Sequence, residues 1–490
     1  MKLPSKDLRR RTRRLNKRHL RRDRKYVLCW IQQSLRGYDN PALDVAIAIG
    51  NEQKLPVVVY HGLDNRYPYA SHRFHRFILE ASQSFESDLK KRRLRFCRYV
   101  RRPAKVEPVL VYRLAEDAAC LVTDDVPTFV ARRQAESVAR KIPLAMFTVD
   151  AACAVPMSLI SPKVTTTKGF RAAHKPLREP ALEAACDLKP EVRKFTGKLC
   201  FEHDAIESFS SRRLDTLIKR CEVDTDLPPA PWFPGSRKAA IQRLEYALEN
   251  IIPRYKWTRN NPALVDSTTR LSPYMHFGVL GSREVARAVQ RAELHSAARW
   301  KFLDELLTWR EYHYHLCRHS KAPASYDRIP NWARESLEIH ADDPREKLYS
   351  IAELLHGHTD DEVWNVAQRQ FLLDGWMHNN LRMYWVKQLI KWLPTPQEAW
   401  QVACYFNDRL SLDGRDPATY GGILWGFGLS RRGYREVPIY GWVPTKSDRA
   451  MKKRAGVEQW LEKQLAREIF EIDSGGFSKE SRLYRFTKGG

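Results

Sequence analysis

A chain of 490 residues exceeds the usual reach of one hydrophobic core and points to two domains, and its 43% hydrophobic content excludes wholesale disorder. No apolar run nears the roughly 18 residues of a membrane span or forms a secretory core behind the basic N-terminus, so the expectation is a monomeric protein that is cytoplasmic or otherwise intracellular and without a membrane partner. The 84 Lys plus Arg against 58 Asp plus Glu, a formal charge of +26, favour a polyanionic partner, and nine cysteines scattered without close pairs argue against a metal site.

The first 25 residues hold 13 Lys or Arg and only two Asp, and read as a disordered basic arm (1–25) that either meets phosphates or only aids solubility. From Tyr26 the pattern changes. YVLCWI (26–31), LPVVVYHG (55–62), VEPVLVYRL (106–114) and PLAMFTV (143–149) read as buried parallel strands, with the amphipathic stretch RFHRFILEASQSFESDLKKR between the second and third. This alternation predicts an α/β, doubly wound, Rossmann-like domain over 26–160. No GxGxxG follows its first strand, so a dinucleotide site of the usual kind is not expected there.

Residues 161–227 are rich in proline, lack a sustained period and predict a connector. PPAPWFPG (228–235) then opens a region of helical periodicity, and strand signals almost vanish. An all-helical domain is expected over 228–445, followed by a charged peripheral tail over 446–490.

The helical region is dense in tryptophan, a residue more often core than function. In WKFLDELLTWREYHYH, Glu305 and Trp309 stand four apart on one helix face, where a carboxylate beside an aromatic either docks a flat polar ligand or is ordinary helix surface. In NDRLSLDGRDPATYGG, Asn407, Asp408, Asp413 and Asp416 sit in a loop that can present acceptors to a ligand, though metal binding or turn chemistry has the same pattern.

The order and wording of four segments go further. TTRLSPYMHFGVL (268–280), ELLTWREYHYHL (305–316), WMHNNLRMYWVKQLIKW (376–392) and NDRLSLDGRDPATYGG (407–422) resemble, in sequence order, the flavin-binding segments of the photolyase/cryptochrome superfamily. WIQQSLRGYDNPALDVAI (30–47), YKWTRNNPAL (255–264), DEVWNVAQ (361–368) and REVPIYG (435–441) resemble its class II branch, which acts on cyclobutane pyrimidine dimers. The pocket wording is mixed. WMHNNL and WREY are similar to class I, yet Ile423 stands where class I places its flavin-proximal tryptophan.

The resemblance implies FAD inside the helical domain, with a second, antenna chromophore left open, and DNA containing pyrimidine dimers as partner. It assigns Tyr255, Thr268, Thr269, Arg270, Leu271 and Ser272 to FAD, using a loop and helix start as an anion site. Arg382 and Asp413 would pair against the isoalloxazine, Asp416 would lie in the same loop, and Asn407 would face flavin N5. Glu305 would touch cofactor and dimer, Trp309 and Trp425 would wall the flipped dimer, and Arg259, Asn379, Met383 and Trp376 would contact substrate or DNA. Trp385, Trp364 and Trp392 would carry electrons to the flavin. The implied activity is light-driven splitting of cyclobutane dimers by an electron from excited reduced FAD. Repair of (6-4) photoproducts, a blue-light photoreceptor of the same fold and a light-independent nucleic-acid-binding protein are the alternatives.

Overall fold

The structure is a computed structural model that describes residues 3–473 except 108, 185 and 430. Six strands form one sheet in the order β1-β6-β5-β2-β3-β4: β1 (Thr12–Arg14), β2 (Tyr26–Trp30), β3 (Val57–Leu63), β4 (Arg95–Val100), β5 (Ala118–Asp124) and β6 (Ala145–Val149). All pairings are parallel except that of β1 with β6. Strand alternation decides which core each residue enters: Val27 and Cys29 face one cluster, and Tyr26, Leu28 and Trp30 face the other. The first of these clusters runs on into the helical region through Leu271, Tyr274, Trp385 and Phe406. The α/β domain and the helical domain therefore share one apolar seam.

Three sequence expectations change. VEPVLVYRL is no strand: Leu110–Glu116 is helical, because Leu110, Val111, Leu114 and Ala115 fall on one buried helical face. The strands it displaces are β4, disguised by Arg95 and Arg98, and β5, whose seven residues are all buried. Arg98 is tolerated inside because Glu86, the Ser82 hydroxyl and the Ser82 and Asp204 carbonyls accept its hydrogens.

The basic arm is not disordered. Residues Lys6–Arg11 form a helix capped by Ser5, and Thr12–Arg14 add the antiparallel edge strand. Arg11 is buried and donates to the carbonyls of Asp150, Cys153 and Ala154, while Asp7 pairs with Arg283 of the helical domain. The charged tail is likewise folded over its described part: Val457–Leu465 is a helix, and Val457, Leu461 and Ile472 enter the main core. The remainder of the expected tail, 474–490, lies outside the described residues.

Candidate functional site

The helical domain holds an open cavity of about 240 Å³ that gathers most of the anticipated residues: Tyr255, Thr268, Thr269, Arg270, Leu271, Ser272, Glu305, Trp376, Asn379, Arg382, Asp413 and Asp416 all line it. The loop 268–272 is held from behind. Arg243 donates to the carbonyls of Thr269 (2.8 Å) and Thr268 (3.3 Å), two residues that line the cavity. Arg270 adopts a left-handed backbone (φ 54°), and its guanidinium lies between the rings of Trp232 and Trp376, 5.9 and 5.4 Å from their centroids. Its Nε is buried and has no hydrogen-bond partner within the protein. The helix that follows, Ser272–His276, spans five residues, so the loop's own hydroxyls and Arg270, more than a long helix dipole, make this wall a donor surface.

Opposite, Arg382 of helix Asn379–Trp392 donates to Asp413 at 3.1 Å, and Ser411 Oγ donates to the same carboxylate at 2.6 Å. Burial raises the pKa of Asp413, but Arg382, Ser411 and Ser272 outweigh it and hold the group below the ordinary carboxylate value. Asp416 caps helix Pro417–Leu424 and accepts from Tyr314 (2.6 Å) and from His276 (3.2 Å). Burial again opposes ionisation there, and His276, Arg310 and Tyr314 reverse it.

Asn407 is placed differently from the expectation. It is buried behind Arg382 and is not among the lining residues: its oxygen accepts a long bond from Arg382 (3.4 Å), and its amide donates to Asp408 (2.9 Å) and Thr419 (3.1 Å). With both amide hydrogens committed, only its carbonyl retains hydrogen-bonding capacity.

Glu305 lies in a wide π-helical turn, Asp304–Arg310, rather than the regular α-helix its spacing suggested. Its carboxylate meets Lys301 at 2.5 Å and Arg259 at 3.2 Å, so Arg259 reaches the cavity through Glu305. Trp309 leaves this cavity wall and packs edge-on against Trp425, with centroids 5.0 Å apart. Met383 faces Gly422, where an added Cβ would stand 3.5 Å from its terminal methyl.

The three expected electron carriers are contiguous. Trp385 and Trp364 are fully buried, and Trp392 meets Trp364 at 5.4 Å. Trp385 Nε1 donates to Gln368, and Phe371 bridges Trp385 to Arg382, touching the first ring edge-on and lying under the guanidinium of the second.

Residues that sequence reasoning missed include Arg243, His276 and Arg310. Arg310 lines the cavity, donates to the Ala152 carbonyl and reaches Tyr314, and its signal was only its adjacency to Trp309 in WREY. A second cavity was not anticipated. It lies at the carboxyl ends of β2, β3 and β5 and is lined by Trp30, His61, Tyr67, Phe129, His276 and Arg415. Such crevices at the reversal of strand order are where open α/β sheets take ligands. His276 thus borders one cavity and bonds Asp416 of the other. Among the described residues there is no cluster fit to hold a metal ion and no helix long and apolar enough to cross a membrane.

Residues 27–193 match the DNA photolyase family model. The chain is 30% identical over 451 residues to a deoxyribodipyrimidine photo-lyase of Oryza sativa subsp. japonica, covering 89% of this chain and 86% of the relative. It is 29% identical over 442 residues to one from Methanothermobacter thermautotrophicus, covering 89% and 94%. The crystal structure of a bacterial class III photolyase from Agrobacterium tumefaciens superposes with a TM-score of 0.64 at 18% identity, over 90% of this chain and 87% of that one, a likeness of fold.

Proposed function

This chain belongs to the family of deoxyribodipyrimidine photo-lyases, and from that premise we propose that it splits cyclobutane pyrimidine dimers in DNA with light, using FAD held in the cavity of the helical domain. The observation that carries the site is the convergence on one cavity of the Thr268–Ser272 donor wall, the Arg382–Asp413 pair and Glu305. The donor set fits FAD. Hydroxyls and the unpartnered Arg270 Nε suit a pyrophosphate, and Phe302, Leu306 and Met377 supply apolar wall for flat rings. These residues would hold reduced FAD, which would supply the chemistry of light-driven electron donation to the dimer, with return of the electron once the ring is open.

The remaining work falls to side chains. Arg382 and Asp413, each satisfied by the other, present fixed charge without a net buried charge. Glu305 is held between Lys301 and Arg259 and is placed to accept from a base edge. The Trp309–Trp425 pair offers apolar faces to the two linked bases of a dimer taken out of the stack. Beyond Trp425 the chain exposes Tyr434, 89% accessible and flanked by Arg431, Arg432 and Arg435, a group suited to phosphates and to the gap in a distorted duplex. Trp392, Trp364 and Trp385 form the route by which the cofactor is returned to its reduced state.

For the antenna chromophore, the crevice at β2 and β3 is the supported location, because its aromatic lining suits a flat ring system and the His276–Asp416 contact puts it next to the FAD cavity. The test is an absorption spectrum of the purified protein alongside light-dependent repair of an oligonucleotide carrying one cyclobutane thymine dimer. Flavin bands with repair that needs light support the reading; a flavin-free protein, or flavin without repair after chemical reduction, overturns it.

A further inference from the structure

The N-terminal segment is a fixed basic rail. After β1, residue 15 donates its backbone N–H to Met146, His19 accepts from Ala145, Arg21 donates to Ala119 and Lys25 donates to Asp117. The segment therefore descends the exposed edge of β6 and passes beneath β5 before entering β2. Its polar anchor is Asn16, which donates to the carbonyls of Ala139 and Leu144 and accepts from Met146 N. Leu15 packs against the second core cluster. Between these anchors Arg13, Arg14, Lys17, Arg18 and Arg22 are exposed. Arg13 has Asp125 at 3.6 Å, whereas Lys17, Arg18, Arg21 and Arg22 have no carboxylate partner among the described residues.

We propose that this rail binds the phosphate backbone of duplex DNA away from the lesion, a second binding surface that adds affinity without reading the dimer. The proposal rests on the DNA substrate of the function above. An unpaired row of cations held by backbone bonds has little freedom still to lose on binding, unlike a flexible arm, so its charge converts more fully into affinity. The rail is also set apart from the lesion pocket. Its upper end reaches helix Glu311–Arg318 at the far terminus, through Asp125, which binds both Arg13 and Arg318. Trp309 lies nine residues before Arg318, roughly 13 Å along a helix axis. Interactions at that remove fall on phosphates several base pairs from the flipped nucleotides, since duplex DNA carries one charge per about 1.7 Å of axis.

The experiment substitutes Lys17→Gln, Arg18→Gln, Arg21→Gln and Arg22→Gln together in the full chain and measures binding to dimer-containing and undamaged duplexes of about 10 and about 30 base pairs across a salt series. On the long duplexes the slope of log affinity against log salt should become shallower by roughly 0.9 for each phosphate that is no longer neutralised, about a 3.5-fold change per phosphate over a four-fold salt range. Damaged and undamaged DNA should lose affinity equally, and the short duplexes should lose much less. An unchanged slope on long duplexes overturns the rail and leaves it a solubility element; a loss confined to dimer-containing DNA also overturns it, by placing these residues at the lesion. Absence of any preference for dimers in the unsubstituted chain would instead count against the repair function.

Discussion

Trp385 and Trp364 stack with ring planes 9° apart and centroids 6.4 Å apart, and the indole N–H of Trp364 donates to the Trp385 carbonyl at 3.1 Å. Packing this tight fixes the relative position of two oxidisable rings, with Trp392 closing the series at 6% exposure near the surface. Trp385→Phe keeps most of the apolar volume but removes the oxidisable ring nearest Arg382 and leaves Gln368 without its donor. Light-driven reduction of oxidised flavin, followed by absorbance, should fall at least ten-fold. Repair by chemically reduced enzyme should stay within about two-fold of wild type. Unchanged photoreduction would mean that a different route operates.

The three tryptophans were grouped by the class II resemblance; local helix geometry adds only that a seven-residue interval places Trp385 and Trp392 two turns apart, while Trp364 lies on a separate helix. The convergence of Thr268–Ser272, Arg382 and Asp413 on one cavity was legible as ordered wording. What escaped were features set by distant partners. Arg98 made β4 look like surface because nothing local announces Glu86 and Ser82 as its acceptors. The arm looked disordered because 13 Lys or Arg dominate its composition, while four hydrophobes, Leu3, Leu8, Leu15 and Leu20, and two backbone-binding residues, Arg11 and Asn16, pin it down. Asn407 read as a ligand-facing amide, and its commitment to Asp408 and Thr419 depends on a turn twelve residues away.

Glu305 is 26% exposed and shared between Lys301 and Arg259, so its removal should not collapse the cavity. Glu305→Ala should retain flavin at a near-normal absorbance ratio while repair per absorbed photon drops several-fold. Arg259→Ala, which frees the carboxylate from one partner, should weaken DNA binding and leave photon yield at saturating DNA less affected. Loss of flavin from Glu305→Ala would make the residue structural.

Asp408 is buried, and burial pushes its pKa up to about 6 despite Tyr420, Arg415 and Asn407 around it. A carboxyl whose folded pKa exceeds its unfolded value contributes stability that is complete below about 3.8 and disappears as pH rises through about 6. Buried His61, His75, His313 and His378 act in the opposite sense: burial holds them neutral, so they cost stability as pH falls below 6.5. Wild-type stability should therefore decline on acidification, with Asp408 softening the decline. In Asp408→Asn that compensation is absent, and the variant should lose roughly 3 kcal/mol more than wild type between pH 7 and pH 4, an order-of-magnitude figure for a two-unit shift. Parallel unfolding curves at both pH values would show that Asp408 titrates normally.

Deleting residues 1–14 separates the structural part of the N-terminal segment from its charge. The deletion removes Leu3 and Leu8 from the main core, each worth about 1.5–3 kcal/mol when fully buried. It also leaves the carbonyls of Asp150, Cys153 and Ala154 without the Arg11 donor, takes Asp7 from Arg283 and bares the backbone of β6. These losses together rival the roughly 5–15 kcal/mol by which a folded domain exceeds its unfolded state. The truncated chain should unfold at least 10 °C lower and aggregate through the opened sheet edge, whereas the four-glutamine variant of the rail should unfold within about 2 °C of wild type, since it alters no buried side chain. If the truncation left the melting temperature unchanged, the strap formed by Arg11 and Asp7 would carry none of the stability its burial implies.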